Sequence, residues 1–356
     1  MVPVFRINAS RLANRNAAPG RLATVGLLAF GAMAVSACGP VSSSSAPTTV
    51  KSAISTTTTP STTLPVLLSA SEASWQLRNP LSRMVLLPAG GNSLAILGGL
   101  TAADTSASGI FSLNLANGAL TATGVLPAAV HDAAGVVLGS NYLVIGGGSV
   151  STVATVESAP LAGGSGKVLS SLPQPRSDCT AVVADGSVVI VGGYNGSTAD
   201  PAVLETTDGT SFRQVSTLKV PVRYSALAAA GSSIYVFGGL TVGGSNPGQP
   251  SSAVQRIDLS TGVTSVVGSL PLPLEGAMTF VLNGHVYVAG GDTGTGNSLS
   301  SSSAVWAYDG GSAFSRAATL PVAVSNAGAA VVGGTAWIVG GEHDGKTTAA
   351  VQVLKG

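Results

Sequence analysis

The sequence predicts an all-β chain built as a six-bladed β-propeller, and three observations predict it. A short apolar run ending in a Gly pair recurs at 94–99, 143–147, 188–193, 234–239, 286–291 and 336–341. The first glycines fall at 98, 146, 192, 238, 290 and 340, a period of about 50 residues that marks internal repeats. Each run is too short for a core helix and rich in β-branched and aromatic residues, so it reads as a strand buried on both faces. Composition agrees: of 356 residues 47 are Gly and 19 Pro, while only 9% are charged, which favours many short strands and turns over long polar helices.

The chain opens on a different kind of segment. Residues 1–21 carry Arg6, Arg11, Arg15 and Arg21 and no acid, and 22–35 is an apolar run of 14 residues. Such a run is too short to span a bilayer and reads as a secretory leader. It ends Val35-Ser36-Ala37-Cys38-Gly39, which resembles the lipobox of bacterial lipoproteins. The resemblance implies that 1–37 is removed, that Cys38 becomes the first mature residue, and that its thiol takes a diacylglyceryl group. Cleavage after Ala37 without lipidation is the alternative, because Val35 and Ala37 also suit an ordinary signal peptidase. The expected location is therefore extracytoplasmic, on a membrane surface through the N-terminal lipid, or else secreted.

Residues 38–65 are mostly Ser, Thr, Pro and small residues, with too little apolar area to offset the entropy of ordering, and are expected to form a disordered stalk. From Cys38 on, 12 basic residues stand against 15 acidic ones, which argues against a nucleic-acid partner, since that selects a basic face.

Residues 66–356 hold the repeats, each read as four strands. In the third, 179–184 is the innermost strand, Asp185-Gly186 the hairpin turn, 187–191 the second strand, 202–206 the third, Asp208-Gly209 a second turn and 212–218 the outer strand. These repeats resemble the kelch family in the six Gly pairs, in the turn residues Asp208, Asp258 and Asp309, and in the aromatics Trp75, Phe212 and Phe314. Leu172-Pro173-Gln174-Pro175-Arg176 matches a further part of the pattern. Most consensus Trp and Tyr residues are missing. After the last Gly pair there is room for one strand only, so 75–83, patterned like 212–223, is expected to supply the outer strand of the sixth blade and close the ring.

Chemistry is expected on the face where the second-to-third strand loops and the interblade links emerge. Fifteen or sixteen residues before the Gly pairs stand Arg83, His131, Arg176, Arg223, Glu275 and Ser325, expected as a ring around the central opening. Their arginines either grip a planar carboxylate or tie interblade links to backbone carbonyls. The loops add Tyr194, Asn195, Asp292 and the run Glu342-His343-Asp344, the last read as a solvated turn. His131, His285 and His343 lie in different repeats with no ligand spacing, and Cys179 stands alone in an apolar stretch, so neither a metal nor another cofactor is expected. Copper-dependent galactose oxidases share this repeat type but need tyrosine, histidine and a crosslinking cysteine, a set that Cys179 does not complete.

The function expected is non-enzymatic: a lipid-anchored repeat protein that binds a glycan, peptide or protein on its loop face. The alternatives are a sugar-acid enzyme resembling the six-bladed sialate epimerases, using the arginine ring, and a structural envelope component.

Overall fold

Each of the six apolar runs is the second strand of a four-stranded antiparallel sheet. The computed structural model describes residues 67–243, 247–311 and 313–356, which all fall in one compact unit, Ser55–Gly356. Cys38, the leader and the stalk lie outside the described residues. The innermost strands of blades 1 to 6 are Val85–Pro88, Ala134–Leu138, Thr180–Ala184, Ala226–Ala230, Met278–Leu282 and Gly328–Val332. In blade 3 the order continues outward through Ser187–Val191, Ala202–Thr206 and Arg213–Thr217, within a residue of the expected boundaries.

The core is divided into six apolar seams, one between each pair of neighbouring blades. Val188 and Ile190 of blade 3 face Val136 and Ile145 of blade 2, while Val189 and Val191 face Ile234 and Val236 of blade 4. A strand buried on both faces needs an unbroken apolar run, which is why these segments do not alternate. The ring closes where Val339 and Val351 of blade 6 pack with Leu94 and Ile96 of blade 1.

The Gly pair bolts each seam. All twelve glycines have positive φ, and a Cβ on the first of each pair would fall within 2.6 Å of a carbonyl oxygen of the next blade: Val130, Arg176, Val222, Leu274, Val324 or Leu81. The second glycine's N–H donates to that same carbonyl, at 2.8–2.9 Å. Positive φ and close backbone approach are together what only glycine supplies.

The closing strand lies earlier than expected. Ser69–Glu72 pairs with Val351–Lys355 and completes blade 6, whereas 75–83 runs on as the link into blade 1. Trp75 marks a packing site instead: its ring stacks on Trp337 at 6.0 Å and lies against Gly118 of blade 1. The true edge strand is short and largely exposed, so no apolar alternation marks it.

A further staple ties links to sheets. The Gln255 carbonyl accepts the amides of Lys219 and Val220 and its amide donates to the Val220 carbonyl; Gln352 holds Val322 in the same two ways. Glu157 occupies this place in blade 2, where Oε1 accepts the Ala128 amide but buried Oε2 has no partner. Burial holds its carboxyl above the ordinary range. The folded state thus keeps a proton that the unfolded chain has lost, so this group's stability penalty is absent below the ordinary carboxylate pKa and grows as pH rises through the raised one. Glu157→Gln replaces the unpartnered oxygen by the amide donor that Gln255 and Gln352 use at this place. It is expected to add about 1–2 kcal/mol in urea denaturation at pH 7.5 and to flatten this fall in stability.

Candidate functional site

Two residues before the innermost strand of blade 1, and at the equivalent place in each other blade, stand Arg83, Asp132, Asp178, Tyr224, Gly276 and Asn326, every one with positive φ. The N–H of each donates to the carbonyl of its counterpart in the preceding blade: Asp132 to Arg83, Asp178 to Asp132, Tyr224 to Asp178, Gly276 to Tyr224, Asn326 to Gly276 and Arg83 to Asn326, at 2.8–3.1 Å. Six backbone hydrogen bonds thus form a closed cycle at one end of the axis. Next to it the innermost strands line a cavity of about 230 Å³, bordered mainly by small residues such as Ala134, Ala181, Ala226 and Ala329.

The side chains of this cycle and of the row before it fill the mouth. Arg83 donates from Nε and Nη2 to the two Glu342 carboxylate oxygens (2.5 and 3.0 Å) and from Nη1 to Asp132 (3.0 Å) and the Tyr224 hydroxyl (2.6 Å). Arg223 donates from Nη2 to the same hydroxyl (2.8 Å), and its Nε lies 2.9 Å from the Asp178 carboxylate. Tyr224 donates in turn to Asp132 (3.2 Å). Arg223 also lies over the rings of Tyr194 and Tyr224, at 4.8 and 4.5 Å from their centroids. Beside them a second depression of about 270 Å³ is lined by Ser149, Ser151, Thr152, Ser177 and Tyr194 together with Arg83 and Arg223.

The mouth carries more acid than base: the guanidiniums of Arg83 and Arg223 act on the carboxyls of Asp132, Asp178, Glu275 and Glu342, and Asp292 lies beside Glu275. Burial, then the neighbouring Asp132, pushes Asp178 up to about 7 against the opposing pull of Arg223. Burial followed by the like charge of Asp292 pushes Glu275 up to about 7 as well. Burial would also raise Glu342, but hydrogen bonding and charge from Arg83 outweigh it and hold that carboxyl below its ordinary value. Burial opposes the charge on Arg83, yet Asp132 and Glu342 raise its pKa further. One mouth therefore holds proton-bearing and ionised carboxyls together near neutral pH.

The structure brings together most of the residues singled out in the sequence, and moves some. His131, Arg223, Glu275 and Ser325 share one row, with Ser82 and Ser177 as its other members. Arg83 lies one place further on, in the backbone cycle, because the first repeat has a four-residue hairpin turn, 89–92, where the others have two. Arg176 is not in the mouth. It is 1% exposed, pairs with Asp200, and donates to the carbonyls of Gly192 and Ala202, so its role is the tying of interblade backbone.

Tyr194, Asp292 and Glu342 each bridge the row residue of their own blade (Ser177, Glu275 and Ser325) and so reach the mouth. Glu342 is buried against Arg83 and not part of a solvated turn. His343 and Asp344 belong to an exposed two-stranded hairpin at the rim, and half-buried Asn195 opens another rim loop, accepting the amides of Ser197 and Thr198. His131 pairs its Nδ1 with Ser106 (2.8 Å), and Ser325 donates to Asp292 (2.7 Å). Asp132, Asp178, Tyr224 and Asn326 were not foreseen. Cys179 is buried, its thiol pushed up to about 11 by burial, as suits a small apolar residue.

The solved structure of YjhT shares this fold, with a TM-score of 0.65 at 16% identity over 78% of this chain and 96% of YjhT. The fold is thus that of known six-bladed propellers. At such identity the likeness shows the fold alone. No protein-family model matches the chain, and no curated protein matches it.

Proposed function

We propose that this is a kelch-like propeller, held outside the cell membrane by a lipid on Cys38, that binds a glycan at its mouth without altering it. The observation that carries the reading is the mouth itself: the Tyr194 ring, two guanidiniums and a set of Ser and Thr hydroxyls converge from several blades. Arg83 and Arg223 both lie over the Tyr224 ring, whereas Tyr194, covered by Arg223 alone, offers apolar area at the second depression for the C–H side of a sugar ring, and the carboxylates and hydroxyls supply acceptors and donors for its OH groups. Arg83 and Arg223 are already engaged with Glu342, Asp132 and Asp178, which favours a neutral ligand over one that needs a free guanidinium. The Cys38 anchor, the leader and the kelch assignment rest on the sequence features described above.

The test is titration calorimetry of the folded protein with neutral cell-envelope oligosaccharides. Tyr194→Ala is expected to weaken binding about tenfold, equal to about 1.4 kcal/mol, with an unchanged Tm. Absence of binding by the whole panel sinks the reading.

A second reading, a sugar-acid enzyme, is favoured by one observation: the raised carboxyl of Glu275 shares the mouth with the ionised Glu342, whose charge it feels, an arrangement fit for proton transfer. Of the arginines proposed for it, Arg83 and Arg223 reach the mouth. Conversion of a sialic acid followed by NMR would replace the binding reading with this one.

A further inference from the structure

Blade 5 contributes a feature that the glycan reading does not use. Glu275 and Asp292 stand directly opposite in an antiparallel bridge, exchanging both backbone hydrogen bonds (3.0 and 2.7 Å), so their side chains leave the sheet on the same side. Like charges in that relation repel. Asp292 answers with two hydroxyls, Ser301 on Oδ1 and Ser325 on Oδ2, both at 2.7 Å, and pairs with no cation among the described residues. Glu275 has less: it is 9% exposed, and its carboxyl makes no hydrogen bond or ion pair among the described residues. Its charge is felt by Arg83 of blade 1, Arg223 of blade 4 and Glu342 of blade 6, so it faces inward to the shared mouth.

Elsewhere in the mouth each acid has its base. Arg83 serves Asp132 and Glu342, and Arg223 serves Asp178. The other charged groups near Asp292 are Glu342 and the exposed Asp344, both acids, with His343 turned to the Ala323 carbonyl. An unpaired carboxyl held against a second one, in a residue only 9% exposed, is costly, and a bound cation removes the repulsion. The donor set suits an organic cation, since no group of three or more His, Cys, Asp or Glu side chains placed for a metal exists among the described residues. An ammonium has three N–H donors for the two carboxyls and a neighbouring hydroxyl.

We infer that the blade 5 side of the mouth is a subsite for the protonated amino group of an amino sugar, held between Glu275 and Asp292. This rests on the glycan reading, which places the sugar ring against Tyr194 and thus brings a ring substituent within the same mouth. The raised Glu275 carboxyl then adds a signature: an arriving ammonium favours its ionised form, so binding near pH 6 releases a proton.

The experiment compares a glucosamine tetramer with its N-acetylated counterpart by titration calorimetry at pH 6.0, in two buffers of different ionisation enthalpy, on wild type, Glu275→Gln and Tyr194→Ala. Expected is binding of the amine at least tenfold tighter than the acetamide, with proton release, and loss of both the preference and the release in Glu275→Gln at an undiminished Tm. Weakening of both tetramers in Tyr194→Ala places them in the mouth. Equal affinity for the two tetramers overturns the amine subsite and leaves the glycan reading standing. A preference that survives in Glu275→Gln overturns the assignment to this pair. If neither tetramer binds, the subsite falls, and if the neutral panel also fails, the glycan reading falls with it.

Discussion

A chain beginning at residue 76 is expected to lose cooperative folding, or to melt far below one beginning at residue 67. The segment removed carries the four-residue ladder of Ser69–Glu72 on Val351–Lys355, buried Leu68 at the blade 5 and 6 seam, and Trp75 wedged between Trp337 and Gly118. Burial of Leu68 and Trp75 is worth about 2 kcal/mol each or more, and the ladder bonds about 1 kcal/mol apiece, so the loss is on the order of 5 kcal/mol or more. That is a large share of the stability of a typical domain. The loss also bares the Val351–Lys355 edge, so the shorter chain is expected to aggregate through it. Calorimetric melting of the two chains, with light scattering, checks both effects. Equal midpoints would show that the ring holds without its N-terminal strand.

Arg176→Leu is expected to destabilise the protein by about 3–5 kcal/mol, although its position is apolar in every other blade (Leu81, Val130, Val222, Leu274 and Val324). The reason is Asp200, 2% exposed, which would lose its guanidinium partner and be left with only the Gln174 amide and the Ala202 N–H. The equivalent of Asp200 is Ala107, Val153, Ser251, Ser302 or Thr348 elsewhere, so the other five blades already show the alternative solution. The double variant Arg176→Leu/Asp200→Ser is therefore expected to recover most of the loss. Urea denaturation of the four proteins in the cycle measures the coupling; additive losses would mean that the pair does not act as a unit. Neither change is expected to alter ligand binding directly, because Arg176 lies outside the mouth.

Those two expectations show where the sequence was legible. The Gly pairs could be read as seam contacts because their demand is local: positive φ and a close carbonyl leave no room for a Cβ, and the same demand recurs in every repeat. The apolar runs were legible for a similar reason, since a strand covered on both faces has one simple pattern. Ser69–Glu72 was not, because a short exposed edge strand owes its place to a partner 286 residues away, with no pattern of its own. Trp75 drew attention to the right segment by its bulk, while its role is to fill the seam rather than to join the ladder.

The mouth was half legible. Counting fifteen back from the Gly pairs finds the row that holds His131, Arg223, Glu275 and Ser325, yet it lands one place off at Arg83, where a longer hairpin shifts the register, while Arg176 stands sixteen back, one place before the row member Ser177. Nothing local marks Asp132, Asp178, Tyr224 or Asn326. A run of positive φ values at the start of each innermost strand is invisible in residue types as unlike as Arg, Asp, Tyr and Asn, because the interblade backbone cycle imposes it.

By itself the sequence determined the repeat, its six-fold count, the four-strand blade and the face on which function is sought, since each follows from local backbone demands and from burial on two faces. Only the tertiary structure decided which charges meet. Arg83 reaches Glu342 across 259 positions and Tyr224 across 141, while Arg176 spends its charge inside blade 3. Ring closure sets those distances, and pairing within a buried mouth then determines which carboxyls keep a proton and which arginines are already engaged.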